Sequence, residues 1–317
     1  MRVLITGASG FAGRHLSVHC GLLGHEVHAL VRPGREGAVI AAAPHPADLT
    51  DAGSVARVVT SVAPDAVMHL AGASSVGASF GDPEGTWRIN LGGTLAVLEA
   101  LRREAPETRA LVVTSGEIYG RVPVEELPVT EATALNPLSP YGASKAAADL
   151  AAAQYRASYG MPVVRVRAFN HVGPGQDPRF VLPNVARQIA RAERDGAEGV
   201  EVRVGNVDTR RDFVDVRDMV RAYVLLVERG DPDVPYLACG GRSRPVRDLI
   251  EGLAPLARIP VAFRSDAGLR RAGEQPDLYG SPARLAADTG WTPEIPIETT
   301  LADTLEWWRE RVAEEED

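Results

Sequence analysis

Residues 7–13 have the sequence Gly7-Ala8-Ser9-Gly10-Phe11-Ala12-Gly13 and directly follow a short apolar run, residues 2–5, that is typical of a β-strand. A helical pattern over residues 11–23 comes next, with Gly24 placed as its C-terminal stop. Glycines in this arrangement allow a tight turn, the close approach of a pyrophosphate and tight packing of the helix. The first turn of a helix also offers free N–H groups and a partial positive charge. The stretch therefore predicts a dinucleotide site formed by Gly7, Ser9, Gly10, Phe11, Ala12 and Gly13.

Beyond this turn, short β-branched runs alternate with helical patterns. Strands are predicted for residues 26–31, 66–70, 110–114 and 163–168, and helices for residues 86–104 and 141–159. The alternation predicts an α/β fold, a doubly wound parallel sheet of the Rossmann type with helices on both faces. After about residue 170 the pattern changes to loops rich in proline and glycine. We predict a dinucleotide-binding domain over residues 1–169 and a smaller C-terminal substrate-binding lobe mainly over 170–317, with residues 207–240 partly returning to the sheet.

Composition excludes several classes of function. The chain has 317 residues and a formal net charge of −8, so it lacks the basic surface that a nucleic-acid partner requires. It has no signal-peptide pattern and no apolar run near the roughly 18 residues that cross a bilayer, so no membrane partner is expected. Cys20 and Cys239 form no CxxC pair, and the histidines show no ligand spacing. We expect a cytoplasmic protein without a metal or a disulfide.

The end of the second predicted strand bears on the choice of cofactor. A carboxylate at this place would accept hydrogen bonds from the adenosine ribose and favour NAD, but the sequence there is Arg32-Pro33-Gly34-Arg35. Guanidinium groups suit a 2′-phosphate, so the sequence favours NADP(H), with NAD(H) as the alternative. The same arginines are also typical of surface cations at a strand end. The remaining residues of the predicted cofactor cleft are Asp48, Leu49, Leu70, Ala71 and Gly72.

Tyr141 and Lys145 are four residues apart, so they lie on one face of their predicted helix. A neighbouring ammonium and a cationic nicotinamide would lower the pKa of the phenol from its ordinary value of about 10. Tyr141 can then exchange a proton with a substrate oxygen, and Lys145 can hold the nicotinamide ribose. Tyr-x-x-x-Lys pairs are common in helices, but here an apolar strand also places Ser115 at the carboxyl edge of the sheet, where such folds bind ligands.

The glycine turn, the serine at a strand end and the Tyr-Lys helix together resemble the extended short-chain dehydrogenase/reductase family over nearly the whole chain. Later segments are similar to the nucleotide-sugar branch of that family: NLGGT at residues 90–94, RAFNHVGPG at 167–175 and RDFVDVRD at 211–218. The resemblance implies about seven parallel strands, a nucleotide-sugar lobe and a homodimer packed through the Tyr-Lys helix and its neighbour.

Within that branch, residues 169–176, 184–191 and 205–213 look like GDP-4-keto-6-deoxy-mannose reductases first and GDP-mannose 4,6-dehydratases next. The likeness implies a GDP-linked sugar as substrate, whose diphosphate contacts arginine side chains, since guanidinium forks suit phosphate oxygens. Surface ion pairs among the same arginines are the alternative. The implied substrate-binding residues are Ser74, Ser115, Glu117, Asn170, Arg187, Arg211, Arg271 and Glu274.

Glu117 bears on the type of reaction. A 4,6-dehydratase removes a proton at C5 and expels the C6 hydroxyl, so it needs an extra base and an extra acid. Glu117 stands at the position of that base, but Gly116 replaces the Asp or Ser that accompanies it in dehydratases. We predict reduction of GDP-4-keto-6-deoxy-D-mannose to GDP-D-rhamnose or a related product, with Ser115, Tyr141, Lys145 and Glu117 as catalytic residues. A 4,6-dehydratase and a hexose 4-epimerase are the alternatives; a redox sensor without activity would not need the proton donor.

Overall fold

The computed structural model describes residues 1–266, 268 and 275–315. Its strands are β1 (Arg2–Thr6), β2 (Glu26–Val31), β3 (Ala43–Pro46), β4 (Ala66–His69), β5 (Arg109–Ser115), β6 (Val163–Ala168), β7 (Asn170–Val172), β8 (Val200–Val204), β9 (Arg210–Arg211), β10 (Phe213–Asp215), β11 (Pro235–Ala238), β12 (Arg244–Pro245), β13 (Val261–Ser265) and β14 (Asp277–Leu278). Its α-helices are α1 (Phe11–Leu22), α2 (Ala52–Val62), α3 (Val76–Ser79), α4 (Pro83–Trp87), α5 (Gly93–Glu104), α6 (Pro140–Tyr159), α7 (Val181–Arg194), α8 (Val216–Arg229), α9 (Val246–Glu251), α10 (Ala283–Thr289) and α11 (Ile297–Ala313).

Seven of these strands form one parallel sheet in the order β11-β6-β5-β4-β1-β2-β3. This order confirms the predicted Rossmann fold. The chain turns from one half of the sheet to the other between β1 and β4, and doubly wound folds bind their ligands in the crevice at the carboxyl ends of the strands there. The glycine turn after β1 and Ser115 at the end of β5 therefore lie on the same edge of the sheet.

Alternate side chains of the central strands are buried on opposite faces of the sheet. Val3 and Ile5 belong to a core that also contains residues of α1 and α8, whereas Leu4 belongs to a core with residues of α2, α5 and α6. Because side chains alternate along a strand, a strand that is apolar at every position can be covered by helices on both sides. This packing holds the helix that carries Tyr141 and Lys145 against β5 and β6.

Two elements differ from the sequence-based expectations. Strand β3 was not predicted, because Pro44 and Pro46 disfavour a strand anywhere except at the edge of a sheet. In the structure β3 is an edge strand, and among the described strands it pairs only with β2. The single helix expected over residues 86–104 is wrong in detail, because a π-helical turn, Arg88–Gly92, lies between α4 and α5. Such turns are short and are often found at functional sites.

The smaller strands and the later helices pack around a separate apolar core. It includes residues of α7, α9 and α11, among them Leu182, Ile189, Leu305 and Trp308. Strand β7 pairs with β10, and β11 lies beside β6 in the main sheet. The boundary at residues 169 and 170 stays a prediction. Across the described part of the chain, no helix is long and apolar enough to span a membrane.

Candidate active site

The glycine turn after β1 is built for a close approach of backbone groups. Gly7 has a φ of 77°, and a Cβ placed on it would lie 2.8 Å from the amide nitrogen of Ala71. A Cβ on Gly13 would lie 2.1 Å from the carbonyl oxygen of Gly7. Helix α1 is wholly described and begins directly after Gly10. It has no acidic residue in its first turn, and no side chain caps its N-terminus. Its free N–H groups therefore fit the diphosphate of a dinucleotide.

Phe11 connects this turn to β7. Its ring stacks on His171 of β7 with ring centroids 5.8 Å apart, and it meets the edge of His15 at 5.5 Å. Nε2 of His15 lies 2.8 Å from the carbonyl oxygen of Pro174. Ser9 and Ala12 are partly exposed along the same turn. Phe11, which we predict to hold the cofactor, therefore contacts β7.

Arg32 and Arg35 follow β2 and are exposed, as a contact with a ribose phosphate requires. Hydrogen bonds from the backbone and side chain of Thr50 hold the pKa of Asp48 below its usual range, and the charge of Arg32 adds to this effect. Leu49 packs close to Gly93 of α5. A Cβ built on Gly93 would lie 3.4 Å from the Cβ of Leu49, which is an ordinary van der Waals contact. The structure thus places a cationic strand end beside the Asp48 loop.

The start of α6 brings the predicted reacting residues together. The Ser139 side chain caps the helix by accepting a 3.0 Å hydrogen bond from the Gly142 N–H. Tyr141 and Lys145 are 9% and 6% exposed, and the side chain of Ser115 lies close enough to the Tyr141 hydroxyl to influence its pKa. Nζ of Lys145 donates to the carbonyl oxygen of Val113 at 3.0 Å. Phenol, hydroxyl and ammonium therefore converge at the carboxyl edge of the sheet.

Burial controls the ionisation of both groups on α6. It raises the pKa of Tyr141 to about 12, an effect that the side chain of Ser115 opposes and the charge of Glu117 reinforces. Burial also lowers the pKa of Lys145 to about 8. In the protein alone, desolvation of the phenolate is the largest influence on the pKa of Tyr141. The lowering expected from Lys145 together with a bound nicotinamide stays a prediction. A neutral phenol is a proton donor, which suits the reduction of a carbonyl.

A cleft next to these residues contains four of the eight predicted substrate-binding residues. It is lined by Ser115, Gly116, Glu117, Phe169, Asn170 and Arg211, together with Ala168 and Leu278. A Cβ on Gly116 would lie 3.2 Å from three ring carbons of Phe169, so position 116 has little room for a side chain. Glu117 therefore borders the cleft without an acidic neighbour at position 116.

Other predicted residues lie elsewhere or outside the description. Arg187 is not among the cleft-lining residues: its guanidinium pairs with Glu315 at 3.1 Å and lies over the ring of Trp308, between α7 and α11. Ser74 is exposed in the segment between β4 and α3. Arg271 and Glu274 lie outside the described residues. The structure thus brings together the predicted substrate-binding residues next to Ser115 but not Ser74 or Arg187.

Sequence reasoning missed a role for Asn90, which lies in the π-helical turn and is fully buried. Its Oδ1 accepts a 2.8 Å hydrogen bond from the Ala73 N–H, and its Nδ2 donates to Oγ of Ser144 at 2.9 Å. Asn90 therefore ties the loop after β4 to the helix of Tyr141 and Lys145. The signal for this role in the sequence is a polar residue, Asn90, between the apolar residues Ile89 and Leu91.

The sheet topology, the glycine turn and the converging Ser-Tyr-Lys side chains define a member of the extended short-chain dehydrogenase/reductase class. A family model described as GDP-mannose 4,6 dehydratase matches residues 4–304, and the chain belongs to this family. The family predicted from the sequence motifs is thereby confirmed.

Three matches show how similar the chain is to known proteins. GDP-6-deoxy-D-mannose reductase from Pseudomonas aeruginosa is 38% identical to the chain over 314 residues, which cover 99% of both. The solved structure of RMD from Pseudomonas aeruginosa complexed with NADPH has a TM-score of 0.85 at 38% identity, covering 98% of this chain and 99% of that one. UDP-glucose 4-epimerase from Thermus thermophilus in complex with NAD has a TM-score of 0.85 at 29% identity, covering 98% and 99%.

Proposed function

We propose that this protein is an NADPH-dependent reductase of a GDP-linked 4-keto-6-deoxyhexose, with GDP-4-keto-6-deoxy-D-mannose as the first substrate to test and GDP-D-rhamnose or a related sugar as product. The observation that carries the proposal is the placement of the buried Tyr141 phenol beside Ser115 at the carboxyl edge of the sheet. The full-length match to a relative named GDP-6-deoxy-D-mannose reductase supports this substrate class.

The proton transfer is the step that the chain's own residues perform. NADPH, when bound, supplies a hydride for the C4 carbonyl carbon. Tyr141 donates its phenolic proton to the carbonyl oxygen, which Ser115 holds by a hydrogen bond. Lys145, which is protonated below a pH of about 8, stabilises the phenolate that remains and holds the nicotinamide ribose. The ketone thus gains a hydride and a proton and becomes an alcohol.

The remaining contacts are assigned from position in the fold. The glycine turn holds the cofactor diphosphate, and Arg32 and Arg35 meet the 2′-phosphate, so NADP(H) is favoured over NAD(H). Residues 170–317 form most of the nucleotide-sugar lobe, in which Asn170 and Arg211 contact the substrate from the cleft. The predicted contact of Arg187 with the diphosphate requires that its ion pair with Glu315 opens.

Glu117 in the cleft favours a second candidate, the 4,6-dehydratase, because a carboxylate there can act as the C5 base. The two functions separate when the purified protein is incubated with GDP-mannose, with its 4-keto-6-deoxy derivative and with UDP-glucose, each with NADPH, NADH or no cofactor. NADPH consumption with the keto sugar alone supports the reductase. A keto sugar formed from GDP-mannose without net cofactor turnover would support the dehydratase instead, and conversion of UDP-glucose an epimerase.

The pH dependence follows from Lys145. Burial lowers its pKa to about 8, so the catalytic ammonium loses its proton as the pH rises through that value. We expect kcat/KM for the keto sugar to fall on the alkaline side of about pH 8, by about tenfold for each further pH unit. Measured profiles of wild type and Lys145→Met check this, since the variant should be slow and lack the alkaline limb. A wild-type profile that stays flat well above this pH would contradict the assignment.

We also propose the homodimer packed through α5 and α6. Leu150 on α6 is 60% exposed and Leu95 on α5 is 38% exposed, whereas Ala146, Ala148 and Ala152 face the protein's own core. Exposed apolar side chains on neighbouring helices are typical of a symmetric interface. Leu150→Arg is expected to convert the dimer to a monomer in light scattering. Leu22→Arg changes another exposed leucine, 81% exposed on α1, and should leave the mass unchanged; a monomeric wild type would sink the proposal.

Both cysteines are buried and free. The cytoplasmic location stays a prediction. Within the described residues, no group of three histidine, cysteine, aspartate or glutamate side chains is arranged to hold a metal ion. The proposed mechanism uses none.

A further inference from the structure

Helix α6 carries a third polar residue in register with Tyr141 and Lys145. Asp149 follows Lys145 by four residues and is 0% exposed, so all three lie on the face that packs against the sheet. Its carboxylate accepts hydrogen bonds from Arg167 of β6, at 2.9 Å from Nη2 and 3.2 Å from Nε. Nη1 of Arg165 lies 3.4 Å from the same carboxylate. The mechanism described above gives this buried group no role.

The same carboxylate also contacts the strand that presents Ser115. Oγ1 of Thr114, the residue directly before Ser115, lies 3.3 Å from Oδ1 of Asp149 and 3.1 Å from the carbonyl oxygen of Val166, so its one proton is shared between these two acceptors. Arg167 is the register partner of Thr114 and donates to the Tyr119 hydroxyl at 2.9 Å, so it also contacts the segment after Ser115. The chain on both sides of Ser115 is thereby connected to one side chain of the Tyr-Lys helix.

The energetics of this cluster indicate that it fixes the placement of α6 against the sheet and adds little to the stability of the fold. Two guanidinium groups and one carboxylate are buried, with Arg165, Arg167 and Asp149 at 9%, 5% and 0% exposure. The cost of desolvating such charges largely offsets their attraction, and apolar residues of similar volume commonly stabilise a core as well. Directional hydrogen bonds, unlike apolar contacts, fix the relative placement of the elements that they join.

We propose that Asp149 is a positioning residue for proton transfer: it locks α6 to β5 one residue from Ser115 and so sets the distance between the Ser115 and Tyr141 hydroxyls. It acts through these residues and does not touch the substrate. The inference rests on the proposed reductase function, in which those two hydroxyls share one substrate oxygen.

Asp149→Asn removes the charge at nearly constant shape and is the main test. We expect kcat to fall by at least about tenfold, because small misplacements of reacting groups cost up to about a hundredfold. The Kd for NADPH, measured by fluorescence titration, should stay within about twofold, since the glycine turn is untouched. The solvent deuterium isotope effect on kcat should rise, because a misaligned donor makes proton transfer more rate-limiting.

Glu193→Gln is the matched control. Glu193 is another buried carboxylate, paired with Arg309 at 2.7 Å between α7 and α11, and its side chain is 6% exposed. Both variants should lower the melting temperature, but Glu193→Gln should keep kcat within about twofold and leave the isotope effect unchanged. Thr114→Val removes the hydroxyl that hydrogen-bonds Asp149 and the carbonyl oxygen of Val166, and it leaves the Asp149 carboxylate in place. It serves if Asp149→Asn does not fold; kcat should fall about threefold or more, with a larger isotope effect.

Wild-type kcat and isotope effect in the folded Asp149 or Thr114 variant would overturn the inference, as would an equal loss of kcat in Glu193→Gln. Failure of the wild type to reduce the keto sugar would instead overturn the proposed function. In that case a crystal structure of Asp149→Asn or Thr114→Val still decides the inference. It should show a longer distance between the Ser115 and Tyr141 hydroxyl oxygens, and an unchanged distance would contradict it.

Discussion

Replacing Tyr141 by phenylalanine is expected to lower kcat by about 10²- to 10⁴-fold, the range that a positioned general acid contributes. The ring, which is 9% exposed, keeps its packing, while the phenolic proton donor beside Ser115 is lost. The Kd for NADPH should stay within about twofold, because the change leaves the glycine turn intact. Steady-state kinetics with the keto sugar and a fluorescence titration of NADPH measure the two effects.

Tyr155→Phe provides the control on the same helix. Tyr155 is also 9% exposed, but its hydroxyl donates to the Glu99 carboxylate at 3.2 Å. It lies fourteen residues after Tyr141 on α6. Its loss should leave kcat within about threefold. A Tyr141→Phe enzyme that keeps more than about a tenth of the wild-type turnover would show that another group donates the proton.

Gly13→Ala is expected to abolish cofactor binding and to destabilise the fold. Its added Cβ would lie 2.1 Å from the carbonyl oxygen of Gly7 and 2.7 Å from Cα of Ala8, so backbone must move. A shift of the helix away from the turn removes the close approach that the diphosphate needs. We expect the Kd for NADPH to rise at least about a hundredfold, measured by fluorescence titration, together with a lower melting temperature.

Gly21→Ala, in the same helix, separates this steric effect from a general effect of alanine. A Cβ on Gly21 meets no described atom within 4 Å. Alanine is favoured over glycine in a helix by about 1 kcal/mol, so this variant should be at least as stable as wild type and bind NADPH normally. Tight NADPH binding by Gly13→Ala would refute the placement of the diphosphate at this turn.

The sequence sufficed for features that are encoded by short spacings. Gly7 to Gly13 and the Tyr141–Lys145 pair are local patterns whose geometry follows from one turn or one helix. Ser115 was found because an apolar strand ends there, and the carboxyl edge of a parallel sheet is a single place in space. These patterns predicted the sheet, its ligand-binding edge and the family.

Features that depend on tertiary contacts were not predicted. The rise in the Tyr141 pKa comes from burial, which spacing along α6 does not reveal. Arg187 points to Glu315 because α7 packs on α11, a contact between residues far apart in the chain. The cluster of Thr114, Asp149 and Arg167 likewise draws one residue from each of three elements. No local pattern marks such residues as partners.

The most direct test of the central claim follows the hydride and the proton into the product. NADPH deuterated at the transferring position is incubated with the protein and GDP-4-keto-6-deoxy-D-mannose, and the sugar is analysed by NMR. Reduction at a site built on Ser115, Tyr141 and Lys145 predicts one deuterium at C4 of the product in wild type, and almost no product with Tyr141→Phe. A sugar that carries no label from the cofactor at C4, or equal labelling by both proteins, would contradict the account.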